Sequence, residues 1–436
     1  MWCTTLPCVL ALSVLACQSI AGIEDHTFVR AGSGAVGATG GAGGKAGSGG
    51  QSGGGAELPS QDKACAAYCD DVLVNCSQDP IQAFKNNDRD DCLAYCSHLP
   101  LGKRVGETSG NTVSCRAQYA KAAGSAEGDQ QFCPAAAPGG ASPGVTPSCG
   151  GNCASYCGLY EEICPDDFDT KCLDRCKGLP DRGEYSSEVD FNAGDDTIQC
   201  RIAHLTAATR AKYDADKTSD DDLRTQYENY RKLHCGHARL RPSLAADDMP
   251  CDLKAATPPN CEDYCKLTQT ACVAGNRVYD DNEQCLSVCQ KGFAKPAGVE
   301  KEKPDSALDT LQCRRWHAYF ALTTDPVVHC GHAGPGGDGH CGKQCEVFCG
   351  LLKAGCKKRF DTEYGANADT AECVKDCGDL AGFKDSYSLE AEAVRTNTYQ
   401  CRLHQVTKVF AASGSGNGNA MAACENAFPK DTCTDQ

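Results

Sequence analysis

One spacing governs what this chain can fold into. C-x3-C-x6-C occurs at Cys65, Cys69, Cys76, and again, residue for residue, at Cys153, Cys157, Cys164, at Cys261, Cys265, Cys272 and at Cys345, Cys349, Cys356. A second C-x3-C follows each time, at Cys92 and Cys96, Cys172 and Cys176, Cys285 and Cys289, and Cys373 and Cys377. Then come a Cys-Arg pair (Cys115-Arg116, Cys200-Arg201, Cys313-Arg314, Cys401-Arg402), a seventh cysteine (133, 235, 330, 424) and an eighth (149, 251, 341, 433). Of the 35 cysteines, 32 fall into these four sets of eight, and Cys3, Cys8 and Cys17 precede them. Internal repetition of this kind means one small unit used several times.

Cysteine at this density implies an oxidising compartment and a frame held by disulfides. C-x-x-C is absent, which removes zinc ribbons, thioredoxin-like redox motifs and covalent c-type haem attachment. Aromatic residues make up 7% of the chain, too few for a large conventional core, so the bridges must supply much of the order.

Positions i, i+4 and i+11 lie within roughly 40° of one another on a helix at about 100° per residue. The first three cysteines therefore share a helix face, and the second C-x3-C marks a second helix. Two antiparallel helices with matching steps are laced by two rungs, first cysteine to fifth and second to fourth. The expected pairs are Cys65–Cys96 and Cys69–Cys92, Cys153–Cys176 and Cys157–Cys172, Cys261–Cys289 and Cys265–Cys285, and Cys345–Cys377 and Cys349–Cys373. Eight cysteines allow about 105 connectivities; for the remainder, third to sixth and seventh to eighth is the expectation. This lacing resembles the helical hairpins of twin C-x3-C proteins over about 30 residues of each repeat.

An aromatic residue precedes each second cysteine, at Tyr68, Tyr156, Tyr264 and Phe348, and is expected to pack on the rungs. Thr112, Thr197, Thr310 and Thr398, each three residues before the Cys-Arg cysteine, are N-cap residues of a third helix. The arginine after that cysteine should bind a carboxylate or carbonyl inside its own repeat. Each repeat ends in C-x-x-A (CPAA, CGHA, CGHA, CENA), followed in three cases by proline at Pro138, Pro335 or Pro429, a turn signal.

Six histidines share a register in repeats two and three: His204, His234 and His237, and His317, His329 and His332. His340 is a seventh, which a Cys330–Cys341 bridge would bring to His329. Converging imidazoles could hold Zn(II) or copper, or one or two could ligate noncovalent haem. Repeats one and four keep every cysteine but carry Tyr119, Phe132, Ala135 and Gln405, Ala423, Asn426 at these places, so the fold itself does not need the imidazoles. The leading expectation is accordingly that no cofactor is bound, with copper, zinc or haem as the alternative.

Catalytic motifs are sparse: neither H-E-x-x-H nor a P-loop is present. The acidic run Asp220–Asp222 lacks a calcium loop and reads as a helix start. With a net charge of -16 the chain shows no clustered cationic surface for phosphate, which excludes nucleic acid as a partner.

The amino terminus places these repeats. Residues 1–16 have the length and apolarity of a signal peptide, too short to span a bilayer. Val14-Leu15-Ala16-Cys17 resembles the lipobox of bacterial lipoproteins, which would make Cys17 a lipid-modified first residue. Gln18 is not the Asp that, in that resemblance, retains a lipoprotein in the inner membrane. Residues 31–56 are half glycine and form a flexible tether with a reach on the order of 35 Å over about 40 residues. Glycine is not at every third position, so this is not collagen.

Lipobox, "CQSIAGIED", Gly/Ala tether, T-x-x-C-R-x-x-H and HC-x-HA together resemble the Cys-rich predicted lipoproteins of myxobacteria, a family without an assigned activity. The resemblance implies a location outside the cytoplasm. The expected architecture is mostly α: a signal peptide over 1–16, a lipidated, disordered tether over 17–62, and four disulfide-laced helical repeats over 63–149, 150–251, 252–341 and 342–436. The expected function is a non-enzymatic binding scaffold on the outer membrane, presenting an acidic surface to a protein or envelope component. Metal or haem binding is the second reading and a hydrolase with an unrecognised site the third.

Overall fold

A computed structural model describes residues 58–77, 82–125, 130–141, 148–187, 196–240, 251, 259–293, 308–382, 386–412 and 419–433. The expected signal peptide, Cys17 and the expected tether as far as Glu57 lie outside the described residues. Every element among those described is helical, and 16 disulfides consume all 32 repeat cysteines. No described helix is long and apolar enough to cross a membrane.

Repeat one comprises α1 (Gln61–Asn75), α2 (Arg89–Ser97), α3 (Val113–Ala123) and the single turn α4 (Cys133–Ala136). Repeat two has α5 (Gly151–Ile163), α6 (Cys172–Cys176), α7 (Ile198–Lys217) and α8 (Asp221–His237). Repeat three has α9 (Cys261–Ala271), α10 (Asn282–Gly292), α11 (Leu311–Thr323) and α12 (Pro326–Ala333). Repeat four runs through α13 (Gln344–Gly355), an inserted α14 (Lys357–Tyr364), α15 (Ala371–Gly378), α16 (Tyr399–Ala412) and α17 (Asn419–Ala427).

The two rungs join the first and second helices of each repeat in the pattern set by the i, i+4 spacing, as in Cys65–Cys96 and Cys69–Cys92. Repeats two, three and four carry the same pair of rungs. The other two bridges correct the sequence expectation. The third cysteine pairs with the seventh (Cys76–Cys133, Cys164–Cys235, Cys272–Cys330, Cys356–Cys424), not with the sixth. The sixth pairs with the eighth (Cys115–Cys149, Cys200–Cys251, Cys313–Cys341, Cys401–Cys433).

Capping geometry explains the difference. Cys76, Cys164, Cys272 and Cys356 are not on the helix face at all but are the residues that terminate the first helices. There they meet the fourth helix, as the Cys235 sulfur, 3.7 Å from the Ile163 carbonyl, shows. The sixth cysteine sits in the first turn of the third helix, where the chain returns after the C-x-x-A turn.

The N-caps are where the sequence puts them: Oγ1 of Thr112, Thr197, Thr310 and Thr398 accepts the amide of Cys115, Cys200, Cys313 and Cys401 at 3.1–3.2 Å. Arg116, Arg201, Arg314 and Arg402 are fully buried, each tying the start of the third helix to the turn after the seventh cysteine. Arg201, for example, donates to Asp196 at 2.7 Å, to the Thr197 carbonyl at 3.0 Å and to the Arg239 carbonyl at 2.8 Å. Such a guanidinium is satisfied by a fork of fixed acceptors, which a lysine could not reproduce.

The tyrosine before the second cysteine does more than pack. Tyr68, Tyr156 and Tyr264 each donate their hydroxyl to the carbonyl of the alanine that ends C-x-x-A, at 2.7, 2.7 and 2.6 Å from Ala136, Ala238 and Ala333. Phe348 lacks the donor, and repeat four goes without this bond.

Successive repeats pack on one another. Asn111 of repeat one donates to the Ala154 carbonyl at 3.1 Å, and Arg116 of repeat one to Ser155 at 2.8 Å. Between repeats two and three, Asp196 receives Arg315 at 2.6 Å and the hydroxyl of Tyr319 in addition to Arg201. Between three and four, the Asp338 carboxylate accepts from the Ser386 hydroxyl at 2.6 Å and the Tyr387 amide at 3.0 Å.

Candidate metal centre

The third and fourth helices of repeat two are pinned at their near ends by different bridges, Cys200–Cys251 on α7 and Cys164–Cys235 on α8. One turn beyond Cys200, α7 presents His204. On α8, His234 and His237 stand three residues apart and share a face on either side of Cys235. The two helices bring all three rings together: His204 to His234 at 5.0 Å, His204 to His237 at 4.9 Å and His234 to His237 at 5.5 Å between ring centroids. Nδ1 of His204 lies 2.7 Å from Nδ1 of His234, so one ring donates its N–H to the lone pair of the other. One nitrogen from each of the three imidazoles lies within 4.8 Å of the others.

Repeat three repeats this arrangement. His317 on α11 stacks with His329 on α12 at 5.3 Å, with the two Nδ1 atoms 3.1 Å apart, and meets His332 at 4.8 Å. His340 joins them, but not by the Cys330–Cys341 bridge expected from the sequence. Cys341 is tied to Cys313, one helical turn before His317, and this holds His340 at 3.6 Å from His332 and 5.9 Å from His317.

Burial favours the neutral form of His234, His317, His329 and His332. It pushes His234 down to about 3, with His237 adding to the effect. It likewise lowers His317 to about 3 and His332 to about 4, reinforced by the neighbouring imidazoles, and lowers His329 as well. A neutral imidazole offers a lone pair, the state in which histidine ligates metal. His332 Nδ1 is buried with no hydrogen-bond partner. Cys235 and Cys330, which interrupt the histidines in sequence, are disulfide-bonded and offer no thiolate.

Repeat one shows what the frame does without histidine. Tyr119 and Phe132 occupy the places of His204 and His234 and stack at 6.0 Å with 14° between their planes, against 23° for the histidine pair. In repeat one the position thus takes two flat rings; the imidazoles of repeat two keep the stack and add nitrogen.

The glycine inside the motif separates the repeats. A Cβ on Gly236 would meet nothing within 4 Å, whereas one on Gly331 would lie 2.0 Å from Asp338 Oδ2 and 2.2 Å from Ser386 Oγ. Gly236→Ala should stabilise the protein by up to about 1 kcal/mol through helix propensity. Gly331→Ala should destabilise it by about 1–3 kcal/mol by forcing the Asp338–Ser386 contact apart. Urea unfolding of the two variants checks the opposite signs, and equal effects would exclude a packing role for Gly331.

Asp220–Asp222 form a helix start: the Asp220 carboxylate accepts the amides of Asp222 and Leu223 at 2.9 and 3.1 Å. A cleft of about 560 Å³ lies away from the histidines, lined by Tyr160, Phe168, Asp169, Arg175 and Arg239 among others. Its arginines are engaged, Arg239 by Asp167 at 2.9 Å and Arg175 by Asp169, and its Cys172 is in a rung. No nucleophile–base pair is assembled there. A G-x-S-x-G string does occur, Gly140-Ala141-Ser142-Pro143-Gly144, but it follows a helical turn with no preceding strand, and Ser142 lies outside the described residues.

Residues 242–344, which contain the third repeat, match the model of the BfoA family C-terminal domain. Two curated proteins are similar over a shorter stretch, both named Aurasperone B biosynthesis cluster protein A and both from strains of Aspergillus niger. Each is 34% identical over 77 residues, which is 18% of this chain and 23% of the fungal protein's length. No solved structure matches the chain significantly.

Proposed function

We propose that this chain is a non-enzymatic, extracytoplasmic binding protein whose repeats two and three each hold a transition-metal ion, Zn(II) or copper, through imidazole nitrogen. The observation that carries this reading is the convergence, twice over, of three histidine nitrogens to within 4.8 Å of one another. Nitrogens bound to one tetrahedral ion at about 2.0–2.1 Å stand roughly 3.3 Å apart, so a small inward movement of rings already in contact suffices. Rings packed at 3.6–5.9 Å also favour a single ion over haem, which needs an open planar slot.

The cysteine frame supports export to an oxidising compartment. Val14 to Cys17 supports lipid anchoring at Cys17 to a bacterial outer membrane, with residues 31–56 as tether. The acidic surface remains available to a second envelope protein and unsuited to nucleic acid. The fungal relatives' name places them in a biosynthetic cluster, and over 77 residues it carries no reaction to this chain.

Repeat one supplies the control. Replacing His204, His234 and His237 by its own residues, Tyr, Phe and Ala, keeps the ring stack and removes the ligands. Ion at 100 times its Kd should stabilise the parent by about 2.7 kcal/mol per site, read as a rise in Tm. The Tyr/Phe/Ala graft, made in both repeats, should show no rise, and an equal rise in the graft would refute the histidine site. Cys17→Ser should release the protein from membrane fractions; continued anchoring would refute the lipobox.

A further inference from the structure

Repeats two and three look like copies, yet their imidazoles are not grouped alike. In repeat two the three converging nitrogens come from His204, His234 and His237; in repeat three they come from His317, His332 and His340. His329, the counterpart of His234, is left out of the group, although its Nδ1 remains 3.1 Å from Nδ1 of His317.

The Cys313–Cys341 bridge accounts for the change. It anchors the residue before the eighth cysteine beside the third helix, and only repeat three has a histidine there. The corresponding residues are Ser148, Pro250 and Thr432. His340 lies nearly over the His332 ring, at 3.6 Å, and fills the third position from the solvent side.

Exposure follows the same direction. In repeat two His204 and His234 are buried and only His237 is partly open. In repeat three His317 is buried, His332 is half-buried and His340 is exposed. An enclosed set of ligands retains its metal, while a set open on one side can exchange a ligand.

Resting on the metal-binding reading above, we infer that repeat three is an ion-exchange site, with Zn(II) or Cu(II) held by His317, His332 and the solvent-facing His340, while repeat two retains its ion within the frame. His329 is a positioning residue: its hydrogen bond at Nδ1 fixes the ring and tautomer of His317, so that the opposite nitrogen faces the ion. Ligating histidines are commonly oriented in this way by a partner on the second nitrogen.

The test uses the full chain with repeat two silenced by the Tyr/Phe/Ala graft, so that repeat three alone reports. Cu(II) is titrated against a competing chelator, and coordinated imidazoles are counted by pulsed EPR. His340→Ser, which installs the residue of repeat one, should weaken binding at least about 30-fold and remove one imidazole from the count. His329→Gln, which keeps a hydrogen-bonding group for His317, should bind within about threefold of the parent with the count unchanged. His329→Ala should lose about tenfold, again with the count unchanged. Stripping by excess chelator should be faster from repeat three than from repeat two, measured in the reciprocal graft.

The reverse order, with His329 required and His340 dispensable, would show that both repeats use the same trio and overturn the inference. Equal stripping rates would overturn the exchange role. If the parent of this series binds no Cu(II) and no Zn(II), the metal reading falls and this inference with it.

Discussion

Asp196→Ala is expected to be among the most damaging single substitutions in the protein, costing about 3–5 kcal/mol. Asp196 is 5% exposed and neutralises two buried arginines from different repeats, Arg201 at 2.7 Å and Arg315 at 2.6 Å, with the Tyr319 hydroxyl as third donor. Removing the carboxylate leaves two guanidinium groups in the interior without the counter-charge they hydrogen-bond, a cost that packing cannot offset. Asparagine stands at the equivalent place in repeats one and four, where Asn111 and Asn397 each satisfy their arginine at 2.7 Å. Asp196→Asn should therefore be milder, because an acceptor oxygen is kept for Arg201 although both arginines lose the negative charge.

The pH dependence has a definite sign. Burial acts to raise the Asp196 carboxyl, but Arg201, Arg315 and the Tyr319 hydrogen bond outweigh it and hold the carboxyl below its ordinary value. A carboxyl whose folded-state value is depressed contributes stability above its unfolded value, near 3.9, and loses that contribution as pH falls through the folded value. Urea unfolding should show this acid loss in the parent below about pH 4 and not in Asp196→Asn. An Asp196→Ala variant within about 0.5 kcal/mol of the parent would mean that the cluster does not join repeats two and three.

Much of the frame is legible in the sequence because helical periodicity acts locally. The i, i+4 steps of Cys65–Cys69 and Cys92–Cys96 dictate the rungs, and a threonine three residues before the sixth cysteine can do little but cap. The remaining bridges were not legible, since they depend on where helices end. Cys76 and its counterparts satisfy the i+11 rule on paper, but the helix stops at the residue before them. The turn that follows aims their sulfurs at the fourth helix.

The candidate site divides in the same way. Register alone singles out His204, His234 and His237, because two of them flank a frame cysteine and the third stands one turn from another. That His340 replaces His329 in the repeat-three group follows from the Cys313–Cys341 bridge, a long-range contact with no local signal. Asp196 carried no signal beyond its place before a capping threonine, since its second arginine comes from the next repeat. The tyrosine hydroxyl bond to the C-x-x-A alanine carbonyl was present only as two letters shared by three repeats, 68–82 residues apart, as in Tyr68 with Ala136 and Tyr156 with Ala238.

The second large effect concerns the ions themselves. Each histidine group is held by bridges that belong to its own repeat, so the two sites should fill independently, and each graft should delete one site without touching the other. Repeats one and four, with Tyr119, Phe132, Ala135 and Gln405, Ala423, Asn426, should contribute nothing. The most direct measurement is therefore the stoichiometry of Zn(II) and Cu(II) bound by the chain at saturation, by equilibrium dialysis with metal analysis. Two ions per chain, one after either graft and none after both, is the predicted result. A chain that binds no ion, or one whose bound ions survive both grafts, would contradict the account.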